Sequence, residues 1–241
     1  MMPSPAEVWQ HLASSPLMGL GATLVAYKIS VALHIRSRFN PLLNPLAVAI
    51  VLLVSLLILT GTSYETYFNG AKFLHFMLGP AVVALAIPLY HQIDKLKKNW
   101  LAMLAASLLG GAAAIATAMV IARLLGASPA TVLSIAPKSV TTPIAIGIAE
   151  KIGGLPSLTA VMVLLTGVLG ATMAHGVFNV LRIKDDAVRG FALGVAAHGI
   201  GTARAFQSSQ EMGAFSGVAM GLSGALTAVL LPLALKLIGL I

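Results

Sequence analysis

Apolar stretches follow one another along this chain with little polar relief. Runs near 17–35, 42–60, 73–91, 100–122, 155–181 and 213–238 each approach the ~20 residues with which an α-helix crosses a bilayer. Two further segments, 130–150 and 190–206, are apolar but interrupted by proline, glycine, hydroxyl and charged side chains. The pattern predicts an all-α polytopic membrane protein with about six full transmembrane helices and two broken or re-entrant segments. Residues 1–241 are expected to form a single transmembrane domain, with an inverted-repeat transporter fold as one arrangement open to it.

Composition sharpens this. With 58% hydrophobic and 9% charged residues, the chain falls far below the ~25% charge of an average soluble domain, so a soluble enzyme is excluded. Cysteine is absent, which removes disulfides, thiol chemistry and cysteine metal sites. The formal charge of +8 fits a positive-inside bias better than nucleic-acid binding. Arg36, Arg38, Lys95, Lys97, Lys98, Arg182, Lys184 and Arg189 are expected on the cytoplasmic side, leaving the N-terminus outside. Nothing basic precedes the first apolar run, and Glu7 is the only early charge, so that segment is expected to be retained rather than cleaved.

The loop charges constrain the topology. Three apolar segments separate Lys98 from Arg182, and three crossings would put the 182–189 loop on the wrong side. The 130–150 segment is therefore expected to re-enter, because it contains Pro137, Lys138 and Pro143 and broken backbone at membrane depth must line protein or a wet cavity. The alternative is an external 182–189 loop, which also carries Asp185 and Asp186.

Within Pro137-Lys138-Ser139-Val140-Thr141-Thr142-Pro143, the Thr142-Pro143 step fits an N-cap followed by proline in the first turn. A half-helix starting there would offer free N–H groups and a positive dipole end beside Lys138, Ser139, Thr141 and Thr142. That set suits a small carboxylate. A lone lysine at mid-membrane costs about 2.5–3.5 kcal/mol, which favours a functional role over a snorkelling side chain on a kinked helix. The second break, His198-Gly199-Ile200-Gly201-Thr202-Ala203-Arg204, is expected at its glycines. Thr202 would cap the following turn and Arg204 would grip a carboxylate, or else lie at the surface beside Gln207 and Glu211.

His175 and His198 are candidate proton carriers, and Asn179, one turn beyond His175, is a candidate cavity-lining residue; a buried neutral histidine is the plainer reading. No metal or cofactor site is expected, and no catalytic arrangement is legible. The glycine pairs 190/194 and 217/221 suit close helix packing.

The runs APKSVTTPIA (136–145), AHGIGTARA (197–205) and GPAVVALAIPLY (79–90) resemble the LrgB/CidB family, which includes YohK-type bacterial inner-membrane proteins. The C-terminal domain of the plant plastidial glycolate/glycerate translocator is similar. The resemblance runs from about Pro41 to the end. It implies a multi-pass protein of the bacterial inner membrane that transports small monocarboxylates such as glycolate, glycerate or pyruvate. A small LrgA/CidA-type membrane partner is implied, and a homo-oligomer is compatible with it. The alternative it implies is a holin/antiholin-like regulator of murein hydrolase export and cell lysis. Binding would map onto Lys138, Ser139, Thr141 and Thr142, then His198, Gly199, Thr202 and Arg204.

Overall fold

The computed structural model describes residues 15–37, 43–84 and 86–241; Glu7 and Arg38 lie outside them. All elements described are helices: α1 (Pro16–Arg36), α2 (Pro45–Thr60), α3 (Tyr64–Ala84), α4 (Ala86–His91), α5 (Ile93–Lys98), α6 (Trp100–Leu124), α7 (Pro129–Ile135), α8 (Thr142–Ile152), α9 (Pro156–Val180), α10 (Asp186–Ser208) and α11 (Gln210–Leu237). Among the described residues, five stretches are long and apolar enough to cross a membrane: Leu17–Arg36, Tyr64–His91, Trp100–Leu124, Pro156–Val180 and Gln210–Leu237. The sixth expected crossing, α2, has 16 residues. At 1.5 Å per residue it falls short of the ~30 Å hydrocarbon core.

The chain forms two compact units, Met1–Ala84 and Leu85–Ile241. In the first, α1 crosses α3 at two glycines. A Cβ on Gly19 would stand 2.7 Å from backbone atoms of Tyr67, Gly70 and Ala71, so the helix backbones themselves touch. Thr23 and Tyr67 share a hydroxyl–hydroxyl bond of 2.7 Å beside that crossing. Asn44 starts α2 by accepting from the N–H groups of Leu46 and Ala47, with proline in its first turn.

The second unit contains both interrupted segments, and in each the chain doubles back. After α7 it passes through 136–141 and returns along α8. Leu155 N–H then donates to Ser134 Oγ at 2.7 Å, and Thr159 Oγ1 donates to the Ser134 carbonyl at 2.9 Å. Some twenty residues after leaving Ser134, the backbone is beside it again, and a Cβ on Gly154 would sit 3.0 Å from Ser134 N. The 130–150 segment thus takes the re-entrant course, and α9 sets out from the end where α6 finished.

The second reversal lies inside α10. Ala197 (φ −129°, ψ 17°) and His198 (φ 42°, ψ −135°) break the helix. Ser209, one residue past α10, donates to Asp186 Oδ2 at 2.6 Å, so the end of α10 has returned to its start. The sequence placed this break on Gly199 and Gly201; the structure places it one residue earlier, on a histidine. Gly201 serves a different purpose. A Cβ there would meet Leu193 O and Ala197 Cβ at 2.8 Å, so only glycine lets the returning arm lie on the outgoing one.

A 25-residue crossing helix followed by a re-entrant hairpin therefore occurs twice, as α6 with α7–α8 and as α9 with α10. Because α9 runs opposite to α6, the two hairpins enter from opposite ends. The cations agree with that course. Lys95, Lys98, Asp185, Val188 and Glu211 line one cavity, which puts the 95–99 and 182–189 loops at the same end of the unit. Lys95 Nζ meets Glu211 Oε1 there at 2.6 Å. That hydrogen bond and the adjacent negative charge raise the Lys95 pKa above its ordinary value, so the lysine stays charged at neutral pH. At the other end, Arg123, Ala127 and Pro129 share a cavity with Ile238 and Leu240 beyond α11.

The long helix α11 packs along the second hairpin through glycines. A Cβ on Gly190 would lie 2.1 Å from Met212 O, and one on Gly194 2.2 Å from Ser216 O. Gly217 and Gly221, expected to serve likewise, would meet nothing within 4 Å. Gly190→Ala and Gly194→Ala are each expected to destabilise the solubilised protein by at least about 1–3 kcal/mol through overpacking. Gly217→Ala should leave its melting temperature unchanged or higher, since alanine is the better helix former.

Candidate functional site

The two hairpin tips approach each other from opposite ends. The first is Ala136–Thr141, where α7 stops and α8 has not begun. Lys138 is half-buried and Ser139 is buried, with Lys138 Nζ 3.4 Å from Ser139 Oγ. Ala136 and Val140 fix the tip by packing with Ala145, Ile148 and Val163. Thr141, rather than Thr142, is the N-cap of α8: its carbonyl accepts from Ala145 N–H at 2.9 Å, while its hydroxyl makes no capping bond. Proline in the first turn of α8 leaves the expected half-helix in place, displaced by one residue. The Thr141 and Thr142 side chains are half-buried next to it.

The second tip is His198. Its positive φ is uncommon outside glycine, and its ψ of −135° places it outside the left-handed well that histidine sometimes enters; such strain persists only where the surroundings over-determine it. Three contacts do so. His198 Nε2–H donates to the Val163 carbonyl at 3.0 Å, and since a carbonyl can only accept, this nitrogen carries the proton. Thr202 Oγ1 donates to the His198 carbonyl at 2.9 Å, tying the break to the turn that follows it. Thr202 also shares a 3.0 Å hydroxyl contact with Ser216 of α11.

The socket for this tip lies on α9. A Cβ on Gly167 would stand 2.8 Å from His198 Cε1, and one on Gly170 2.7 Å from Ala197 Cβ. Val163 both accepts from His198 and packs in the cluster that holds the first tip, so a single α9 residue touches both reversals.

The structure thus brings Lys138, Ser139, Thr141, Thr142, His198, Gly199 and Thr202 into one region. Arg204 stands on the returning arm, away from the tip, with Nη1 on Gln207 Oε1 at 3.1 Å. Arg204 is half-buried, and Gln207 is one of the two neighbours expected of it in a surface position. His175 is exposed on α9. Asn179, also exposed, accepts from Arg189 Nη2 at 3.0 Å, where it fixes the foot of the second hairpin instead of its tip. Among the described residues no group of three or more metal-ligating side chains occurs.

Sequence reasoning missed Gly167 and Gly170, whose role needs the fold, and Ser134 and Thr159, which close the first hairpin. Buried hydroxyls repeat along one face of α11 at Ser216, Ser223 and Thr227, and their helical spacing was the signal available for them.

Comparison with known proteins followed the same region. The profile of the LrgB-like family matches residues 23–237. A protein named antiholin-like protein LrgB from Bacillus mycoides (strain KBAB4) is 34% identical over 225 residues, covering 93% of this chain and 98% of its own length. Proteins of the same name from Bacillus cereus (strain B4264) and Bacillus anthracis (strain CDC 684 / NRRL 3495) match at the same identity and coverage. No solved structure matches. With its five membrane-length apolar helices, the chain is a multi-pass membrane protein of a family with bacterial members.

The socket yields a direct expectation. Gly167→Ala should push the His198 tip out of place and lower the melting temperature by an amount equivalent to about 1–3 kcal/mol. Gly176→Ala, on the same helix with nothing within 4 Å of its Cβ, should not lower it.

Proposed function

The chain belongs to the LrgB-like family, and from that premise we propose that it is a secondary carrier or facilitator for small monocarboxylates. Residues 1–241 would act as one transmembrane domain of the bacterial inner membrane. The observation that carries this reading is the meeting of two oppositely inserted hairpin tips, one bearing a half-buried lysine beside a helix start. Discontinuous helices that meet inside a bundle are a recurring way of building a midplane site for a small ion.

In this reading Lys138 attracts the carboxylate, and Ser139, Thr141, Thr142 and the free N–H groups of the first α8 turn hydrogen-bond it. His198, Gly199 and Thr202 bound the site from the other side, and Arg204 acts on entry or exit rather than at the tips. One buried cation with hydrogen-bond donors holds an anion loosely enough to release it, which turnover requires. His175 and Asn179 would contribute at the periphery. A small LrgA/CidA-type membrane protein as partner, and assembly into a homo-oligomer, belong to the same proposal.

A second reading has an observation of its own. The curated relatives are named antiholin-like, and by name they favour a holin/antiholin-like regulator of murein hydrolase export and cell lysis over a carrier. That reading expects large assemblies and leakage that does not saturate. It gives no use to a lysine half-buried at a hairpin tip.

Uptake of labelled glycolate, glycerate and pyruvate into proteoliposomes, with and without the small partner, separates the two. The carrier predicts saturable uptake of at least one acid. Lys138→Met should reduce that uptake by about tenfold or more, the value of a charge-assisted hydrogen bond of roughly 1.5–3 kcal/mol. Uptake unaffected by Lys138→Met would remove the role given to Lys138. Non-saturating leakage of unrelated solutes would put the regulator first.

A further inference from the structure

Beyond the two hairpin tips themselves, α11 touches both hairpins. On α11, Ser216 touches Thr202 of the second hairpin. Met220 Sδ lies 3.9 Å from Thr202 Oγ1 and would be 3.7 Å from a Cβ on Gly199. A Cβ on Gly224 would stand 3.0 Å from Ile144 Cδ1 of the first hairpin. Residues 216, 220, 223, 224 and 227 fall on one face of a helix with 3.6 residues per turn. Ser223 and Thr227 therefore lie within the strip of α11 that faces both hairpins.

Both are buried, yet no hydrogen bond of the described residues engages either hydroxyl. Ser30 and Ser134, by contrast, turn back onto the carbonyl four residues earlier in their own helices.

A third hydroxyl differs from these two in that its oxygen is wholly buried as well as unpartnered. Ser107 of α6 is 2% exposed, and its Oγ has no hydrogen-bond partner. One turn before it, Met103 packs with Phe215 and Ala219 of α11. Two turns beyond it, Ile115 packs on the cluster containing Leu231. Ser107 is thus level with the stretch of α11 that carries Ser223. An unpartnered buried hydroxyl is a net cost to folding, and native structures seldom keep one without a use.

We infer that Ser107, Ser223 and Thr227 are ligand-binding residues of the same site, hydrogen-bonding polar groups of the bound anion other than its carboxylate. This rests on the carrier reading. It assigns the carboxylate to the Lys138 tip and the choice between hydroxylated and plain acids to the α6–α11 wall. Serine and threonine both donate and accept, so they suit a substrate hydroxyl. A site that hydrogen-bonds such a group discriminates against the analogue that lacks it.

The test uses the full-length protein in proteoliposomes with glycolate and acetate as probes, comparing wild type with Ser107→Ala, Ser223→Ala and Thr227→Val. The expected result is a fall of about threefold to tenfold in the glycolate-to-acetate uptake ratio for at least Ser223→Ala, the worth of one lost hydrogen bond. Acetate uptake itself should be retained. Melting temperatures of the variants should be unchanged or raised, because each change removes a hydroxyl that has no protein partner.

An unchanged ratio in all three variants, with saturable wild-type uptake, overturns this inference and leaves the carrier intact. A lowered melting temperature for Ser107→Ala with no change in ratio assigns that hydroxyl to structure and overturns its place in the site. If wild type moves neither glycolate nor acetate saturably, this inference falls, and the carrier reading falls with it only when glycerate and pyruvate are not taken up saturably either.

Discussion

A backbone that turns round inside a membrane has no water to take up the groups it frees, and that constraint organises the whole second unit. Each break must find its hydrogen-bond partners in protein. At His198 the carbonyl accepts from the Thr202 hydroxyl, and the ring donates to the Val163 carbonyl. At the first hairpin Ser134 receives the Leu155 N–H on its hydroxyl and the Thr159 hydroxyl on its carbonyl. Glycines at 167, 170, 190, 194 and 201 then bring helix surfaces close enough for those bonds to form.

The same constraint shapes the site. A hairpin that enters part-way stops inside the bundle, so its tip delivers polar backbone and side chains to the interior. Entering from both ends places two such tips opposite each other across α9, with Val163 in contact with both. α9 is packed against each hairpin, whereas α6 leaves a cavity beside each: about 710 Å³ along the second and about 460 Å³ along the first.

The family match and the geometry bear on different questions. The match runs almost the full length and gives membership. The names of the relatives describe a cellular effect, while the hairpins describe what a molecule of this shape can hold. A regulator of lysis that works by moving a small anion would reconcile the two, since neither a name nor an effect on cells specifies what crosses the membrane.

Hydropathy and turn chemistry are local, and what depends on them was legible in the sequence. The crossing helices, the proline break at 136–143, the interruption near 199 and the clustering of cations at one end all follow from residues close together in the chain. The location of Lys138 at a polar reversal was readable for the same reason. Partners far apart in sequence decided the rest. That 130–150 returns to its entry point depends on Ser134 meeting Leu155, and that α10 reverses depends on Ser209 meeting Asp186. The reversal falls on His198 because Gly167 vacates the space for its ring, a fact no local rule contains. Arg204, chosen by charge alone, went to Gln207 because the returning arm carries it away from the tip. Side-chain chemistry fixed which residues could form a site. The packing of α9 and α11 against the two hairpins decided which of them were brought together.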